Sequence, residues 1–178
     1  MKYLRLFEDF DSYDPYELMI IPPNKKGEMI IDEIRKPEPN LNLVRDLIAL
    51  GANLEWKNEE NYNWTPLLWA AMKGHLEIAR MLIDAGADVN NRNGETPLYM
   101  AVSNGKLDIA RMLIDAGANV NVQDEVGYTP LHWAAVFGQV EIARMLIDAG
   151  GNKDIQNNKG RAPYDLAMFA ELKNLLKP

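Results

Sequence analysis

The side chains that could carry acid–base, nucleophilic or metal chemistry are few and scattered. His75 and His132 are the only histidines, they fall in different segments, and neither has a companion at metal-ligand spacing. With no cysteine in the chain, a thiolate nucleophile, a disulfide and a thiolate metal site are all excluded. No serine stands with a histidine and an acid in a triad-like pattern, and no glycine loop of the phosphate-cradling kind is present. Glu59 and Glu60 are adjacent carboxylates in a loop, and without a companion acid in a pocket they read as a solvated turn. Asn63-Trp64-Thr65 has the form of a glycosylation acceptor, but Thr65 has a structural duty described below, so the match reads as coincidence. The expectation is a chain with no catalytic residue, no metal and no cofactor.

Charge narrows the partners further. Lys and Arg total 19 against 26 Asp and Glu, a net charge of -7, and basic residues adjoin only as the pairs Lys25-Lys26 and Arg35-Lys36. A phosphate backbone would find little to hold, so nucleic acid is not expected as a partner. No stretch approaches the ~18 apolar residues of a membrane span. Met1–Phe10 reaches Glu8 and Asp9 before an apolar run of signal-peptide length. The expected compartment is the cytoplasm.

The elements that must position any functional residue repeat. Ile-Ala-Arg-Met-Leu-Ile-Asp-Ala-Gly begins at Ile78, Ile109 and Ile142, and Thr-Pro-Leu begins at Thr65, Thr96 and Thr129, 31 and 33 residues apart. A degenerate copy, Ala162-Pro163-Tyr164, follows 33 residues on. A period of this size calls for a solenoid. Each threonine is placed to cap a helix whose first residue is a proline with no N–H to lose. Gly74, Gly105 and Gly138 end that helix, because a left-handed turn suits glycine. A second helix follows, with Leu76, Ile78, Ala79, Leu82 and Ile83 on one face and Glu77, Arg80 and Asp84 on the other. Gly86, Gly117 and Gly150 close it, and a turn leads to the next threonine. The fold expected is all-α: stacked helix-turn-helix units joined by β-turn fingers.

Thr129-Pro130-Leu131-His132-Trp133-Ala134-Ala135, then Gly138 and Gly150, resembles the ankyrin repeat. The resemblance runs from about Gly27 to the C-terminus. It implies an N-cap repeat over 27–60, full repeats over 61–91, 92–123 and 124–156, and a shortened C-cap repeat over 157–178, preceded by an extension over 1–26. Glu28 to Arg35 and Leu41 to Gly51 read as the two helices of the first repeat. Ala162 lacks the capping hydroxyl, a difference worth on the order of 1 kcal/mol, so the C-terminal end is expected to fray first. The family also implies that a histidine at His132 bonds near the helix start and one at His75 sits at the turn between helices.

Two features vary around this regularity. Gly86 to Thr96 spans ten residues and Gly51 to Thr65 fourteen, against twelve from Gly117 to Thr129, so one finger is short and one long; both would change the local curvature of the face they border. Arg80, Arg111 and Arg144 recur at one repeat position, and Asp84, Asp115 and Asp148 four residues later. These rows read as a solvated, charge-balanced outer surface.

The resemblance implies a concave surface, built from finger tips and the outward side of the first helices, that holds partner proteins. Carried over by position it comprises Tyr62, Trp64, Met72 and Lys73, then Arg92, Glu95, Ser103 and Asn104, then Glu125, Val126, Tyr128, Val136 and Phe137, with Lys159 and Arg161 in the last unit. Large rings here are interface anchors by type, and Trp64, Tyr128 and Phe137 are expected to be free of packing duty. Trp69 and Trp133 share a position with Met100 and Leu166, which assigns them to packing between helices. In residues 1–26, Tyr3, Leu4, Leu6, Phe7 and Phe10 could cover the open edge of the first repeat or tether a larger assembly. The first ten residues also resemble the starts of tailed-bacteriophage proteins. The function expected is a non-enzymatic protein-binding module, an adaptor or small inhibitor that is monomeric when unbound. The alternative is a binder of a small ligand or a nucleic acid, which the acidity disfavours.

Overall fold

A computed structural model of the chain describes residues 15–57, 63–91 and 95–177, and these contain helices and no strand. The helices are α1 (Pro15–Met19), α2 (Pro23–Arg35), α3 (Leu41–Ala49), α4 (Pro66–Lys73), α5 (Leu76–Asp84), α6 (Pro97–Ser103), α7 (Leu107–Asp115), α8 (Pro130–Val136), α9 (Val140–Asp148), α10 (Pro163–Leu166) and α11 (Ala170–Leu176). First helices pack on first helices in the order α2, α4, α6, α8, α10, and second helices follow in a parallel row α3, α5, α7, α9, α11. Each pair contacts mainly its neighbours, so the core is one continuous seam between two rows.

The local causes are those the sequence indicates. Thr65, Thr96 and Thr129 accept from the N–H groups of Leu68, Tyr99 and His132 at 3.4, 3.1 and 3.4 Å, each followed by proline at the first helical position. Thr65 is 1% exposed, so the hydroxyl of the apparent glycosylation acceptor is inside the stack. Gly74 closes α4 with φ of 87°, a conformation an L side chain rarely adopts. Ile78, Ala79 and Leu82 are buried, and their counterparts in α7 and α9 are buried with them. Asn90 and Asn121 tie the turns after successive second helices together: Asn90 Oδ1 accepts from Asn119 N–H at 2.8 Å, and Asn121 Oδ1 from Asn152 N–H at 2.7 Å.

The ends depart from the sequence reading. The boundary drawn at 26/27 falls inside α2, which begins at Pro23, and Leu18 and Ile21 join the core at 1% and 3% exposure. The reason is that Pro22-Pro23 starts this helix, since proline costs nothing at a first helical position. Lys26 is buried and donates to Leu50 O at 2.7 Å. Buried Glu33 accepts from Lys36 Nζ and, at 3.0 Å, from Asn40 N–H. At the other end α10 has four residues, and only half of a capping box forms, with Asp165 Oδ2 accepting from Ala162 N–H at 2.9 Å. A second helix nevertheless follows, and it buries Leu172 and Leu176 completely. Residues 1–14, which include the apolar opening, lie outside the described residues, as do 58–62 and 92–94 in the long and short fingers.

Gly27 shows how tightly the N-terminal unit closes. A Cβ there would lie 2.4 Å from Asn53 O and 2.7 Å from Trp56 Cβ. Alanine favours a helix over glycine by about 1 kcal/mol, but a backbone oxygen cannot step aside, so the clash decides the sign. Gly27→Ala is expected to destabilise the chain by about 1 to 3 kcal/mol, read as a lowered urea midpoint. An unchanged or raised midpoint would mean that α2 and the Asn53–Trp56 turn are not in contact.

Candidate binding surface

The best-formed part of the candidate surface lies where the third and fourth repeats meet. The finger that leads into α8 is organised by Asp124, whose Oδ1 accepts from Val126 N–H at 3.0 Å and Tyr128 N–H at 2.8 Å. The main chain closes the same turn, with Asp124 N–H donating to Tyr128 O at 2.9 Å and Gly127 N–H to Asp124 O at 3.0 Å. Oδ2 of Asp124 accepts from the Trp133 indole at 2.9 Å, which locks a ring of α8 against the finger. The next finger repeats the device with Asn157, whose Oδ1 accepts from Lys159 and Arg161 N–H at 2.9 and 3.1 Å. The two fingers are stitched through Gln123 and Asn158.

Trp133 is the hub of an aromatic cluster. Its ring centroid lies 4.9 Å from that of Tyr128, 5.5 Å from Tyr99 and 5.7 Å from Phe137. Tyr99, Glu95, Asp124, Glu125, Tyr128 and Trp133 line one open cavity of about 240 Å³. Burial raises the carboxyl pKa of Glu95 above its ordinary value, the Trp64 indole opposes this by hydrogen bonding to it, and Asp124 and Glu125 push in the same direction as burial. Burial also raises the Tyr99 hydroxyl, with Glu95 and Asp124 adding to the effect.

The sequence-assigned residues fare unequally. Val126 and Phe137 are 52% and 49% exposed. Glu125, Lys73, Asn104, Lys159 and Arg161 are exposed, and Val136 and Met72 are half-buried. Ser103 Oγ and Asn104 Nδ2 both donate to Met100 O, finishing α6. Tyr62 and Arg92 lie outside the described residues. Trp64 is not free of packing: its ring meets Trp69 edge-on at 5.0 Å and its indole reaches Glu95. Tyr128 also packs, 5.3 Å from the His132 ring. The assumption that both rings lack packing duty therefore fails, because the residue just before the capping threonine lies against the rings of the helix that threonine starts.

Trp133, Tyr99 and Asp124 are the residues sequence reasoning passed over. Trp69 is 7% exposed and buried as expected, whereas Trp133 at the same repeat position is half-buried and lines the cavity. The available signal was the concentration of Tyr99, Tyr128, Trp133 and Phe137 in adjacent repeats. Arg80, Arg111, Arg144, Asp84, Asp115 and Asp148 are all exposed on the second helices.

The histidines are structural in place. His75 Nε2 lies 3.0 Å from Ile34 O, joining α5 to the preceding repeat. His132 Nδ1 accepts from Thr129 N–H at 3.0 Å while Nε2 lies 3.0 Å from Arg161 O, which fits a neutral ring protonated at Nε2. Burial lowers the His132 pKa; the bond to Arg161 O and the charge of Asp124 oppose it. A lowered folded pKa means that the unfolded chain binds the proton first. Stability is therefore full above the unfolded value of about 6.5 and declines as pH falls below it. His132→Gln is expected to lose less stability than the native chain between pH 7.5 and 5.5. Equal losses in paired urea titrations would show that His132 is protonated as readily folded as unfolded. Among the described residues no group of three His, Asp or Glu could hold a metal, and no helix is long and apolar enough to cross a membrane.

Comparison with known proteins matches the family model described as ankyrin repeats (3 copies) over residues 35–124, and that described as ankyrin repeats (many copies) over 104–147. The chain is similar to an ankyrin repeat protein of Acanthamoeba polyphaga mimivirus, 40% identical over 57 residues that cover 30% of this chain and 35% of the relative. It is similar to the ankyrin repeat, SAM and basic leucine zipper domain-containing protein 1 of Carollia perspicillata, 30% identical over 71 residues, 40% of this chain and 14% of the relative. A third relative is the Arf-GAP with coiled-coil, ANK repeat and PH domain-containing protein 2 of Homo sapiens, 38% identical over 56 residues, 32% of this chain and 7% of the relative. The chain thus spans about a third or less of the length of these relatives.

Proposed function

Because this chain belongs to the ankyrin repeat family, we propose that it is a non-enzymatic module that holds a partner protein on the face made by its fingers and first helices. Ankyrin repeats are generally protein–protein interaction modules. The observation that carries the reading for this chain is the aromatic cluster around Trp133, with Phe137 half-exposed at its edge and Val126 exposed on the finger that Asp124 fixes. Half-exposed rings on a rigid scaffold are what an interface anchor needs: large apolar area with little entropy left to lose. A cavity of about 240 Å³ is smaller than the ~300–1,000 Å³ typical of small-molecule sites, and the net charge of -7 opposes nucleic acid. The module acts in the cytoplasm and is monomeric until it binds, as an adaptor or a small inhibitor.

The test is affinity capture from the native cell with mass spectrometry, run in parallel with the native chain and a Tyr128→Ala/Phe137→Ala chain. A protein enriched by the first and lost by the second supports the reading. A set of captured proteins that is the same for both chains counts against this face.

A further inference from the structure

The cavity between the third and fourth repeats has a chemistry that folding alone does not require. Tyr99, Tyr128 and Trp133 give it aromatic walls, Glu95, Asp124 and Glu125 give it three carboxylates, and among the described residues none that lines it is basic. Both oxygens of Asp124 are engaged, Oδ1 by two main-chain N–H groups and Oδ2 by the Trp133 indole. It fixes the walls and adds negative charge, leaving Glu125 and the acceptor positions of Glu95 that the Trp64 indole does not take to meet a ligand. Glu95 is partly desolvated, with the Trp64 indole supporting its ionisation and the charges of Asp124 and Glu125 working against it. A cation entering the cavity would relieve that crowding and face the rings, whose π surfaces attract positive charge. An anion meets three like charges, and a neutral apolar group leaves the carboxylates desolvated without a partner. A bare metal ion gains nothing from aromatic walls, and the volume of about 240 Å³ suits one long side chain.

We propose that this cavity receives a lysine or arginine side chain of the partner protein, so that the partner's docking segment is basic. The inference rests on the protein-binding reading of the same face and adds the chemistry of the partner to it. Charge complementarity with a chain of net charge -7 supports the same assignment and speeds encounter.

The test is an NMR titration of the nitrogen-15-labelled full chain, following the Trp133 indole N–H. The probes are the amides of N-acetyl-arginine, N-acetyl-lysine and N-acetyl-norleucine, and calcium chloride. A weak, saturable shift with either basic amide, much smaller with norleucine amide and calcium, is the expected result. Glu95→Gln/Glu125→Gln, which keeps shape and removes charge, is expected to weaken the basic probes at least fivefold. Norleucine amide or calcium acting as strongly as the basic probes overturns the proposal, as does an undiminished response in the double variant. A captured partner separates the two readings. One that binds the double variant as tightly as the native chain but loses affinity for Phe137→Ala overturns the basic-side-chain assignment and leaves the binding face standing. One indifferent to Phe137 removes the binding face itself.

Discussion

Replacing Leu113 by alanine is expected to lower the unfolding free energy by about 2 to 5 kcal/mol. Leu113 is fully buried in α7, the middle second helix, which packs on α5 and α9. A solenoid is stabilised by interfaces between neighbours, so one truncation here weakens two of them. The resulting cavity cannot collapse without moving both flanking helices. Leu176, which the sequence places at a fraying end, is just as buried, yet α11 packs mainly on α9 and α10 and has no further repeat beyond it among the described residues. Leu176→Ala is therefore expected to release the C-terminal unit early in a urea titration, while Leu113→Ala shifts the main transition. Equal, single shifts for both variants would mean that the chain unfolds as one globule and that stacking is not what holds it.

The second large effect concerns binding. Truncating an interface anchor typically costs at least about 2 kcal/mol, roughly thirtyfold in affinity. Phe137 is the cleanest candidate, being 49% exposed, beyond the last turn of α8, and in contact with Trp133 through one face. Its removal is expected to cost affinity with little loss of fold. Tyr128 is expected to cost affinity and some stability together, because its ring lies against His132 and Trp133. Trp64→Ala is expected to lower stability measurably, since its ring supports Trp69 and its indole holds Glu95. Calorimetric titration beside a thermal melt of each variant separates the two costs.

These distinctions mark what the sequence could and could not tell. The helix pairs were legible because Thr65, Thr96 and Thr129 recur with proline and a closing glycine, and these signals act within one turn of chain. The N-terminal unit was less so, because a double proline reads as a break in the chain, whereas Pro23 opens α2 and Leu18 and Ile21 before it join the core. The binding surface was legible by position and not by contact. Whether Trp133 packs or lines a cavity depends on Asp124, nine residues away, reaching its indole, and on Tyr99 in the preceding repeat. No periodicity within one repeat encodes a contact between two. Trp69 and Trp133 occupy one repeat position and have different fates, because buried Trp69 has Trp64 over it while Trp133 faces the open finger.

The central claim is that a protein partner docks on the finger and first-helix face, and calorimetric titration of the captured partner against Phe137→Ala, Arg80→Ala and Arg144→Ala tests it most directly. Arg80 and Arg144 are exposed on the opposite row of helices and, as surface charges, are expected to change affinity by less than about fivefold. The account predicts a loss of roughly thirtyfold for Phe137→Ala with an unshifted melt. Full affinity in Phe137→Ala together with its collapse in the two arginine variants would contradict the account and place the partner on the outer charge rows.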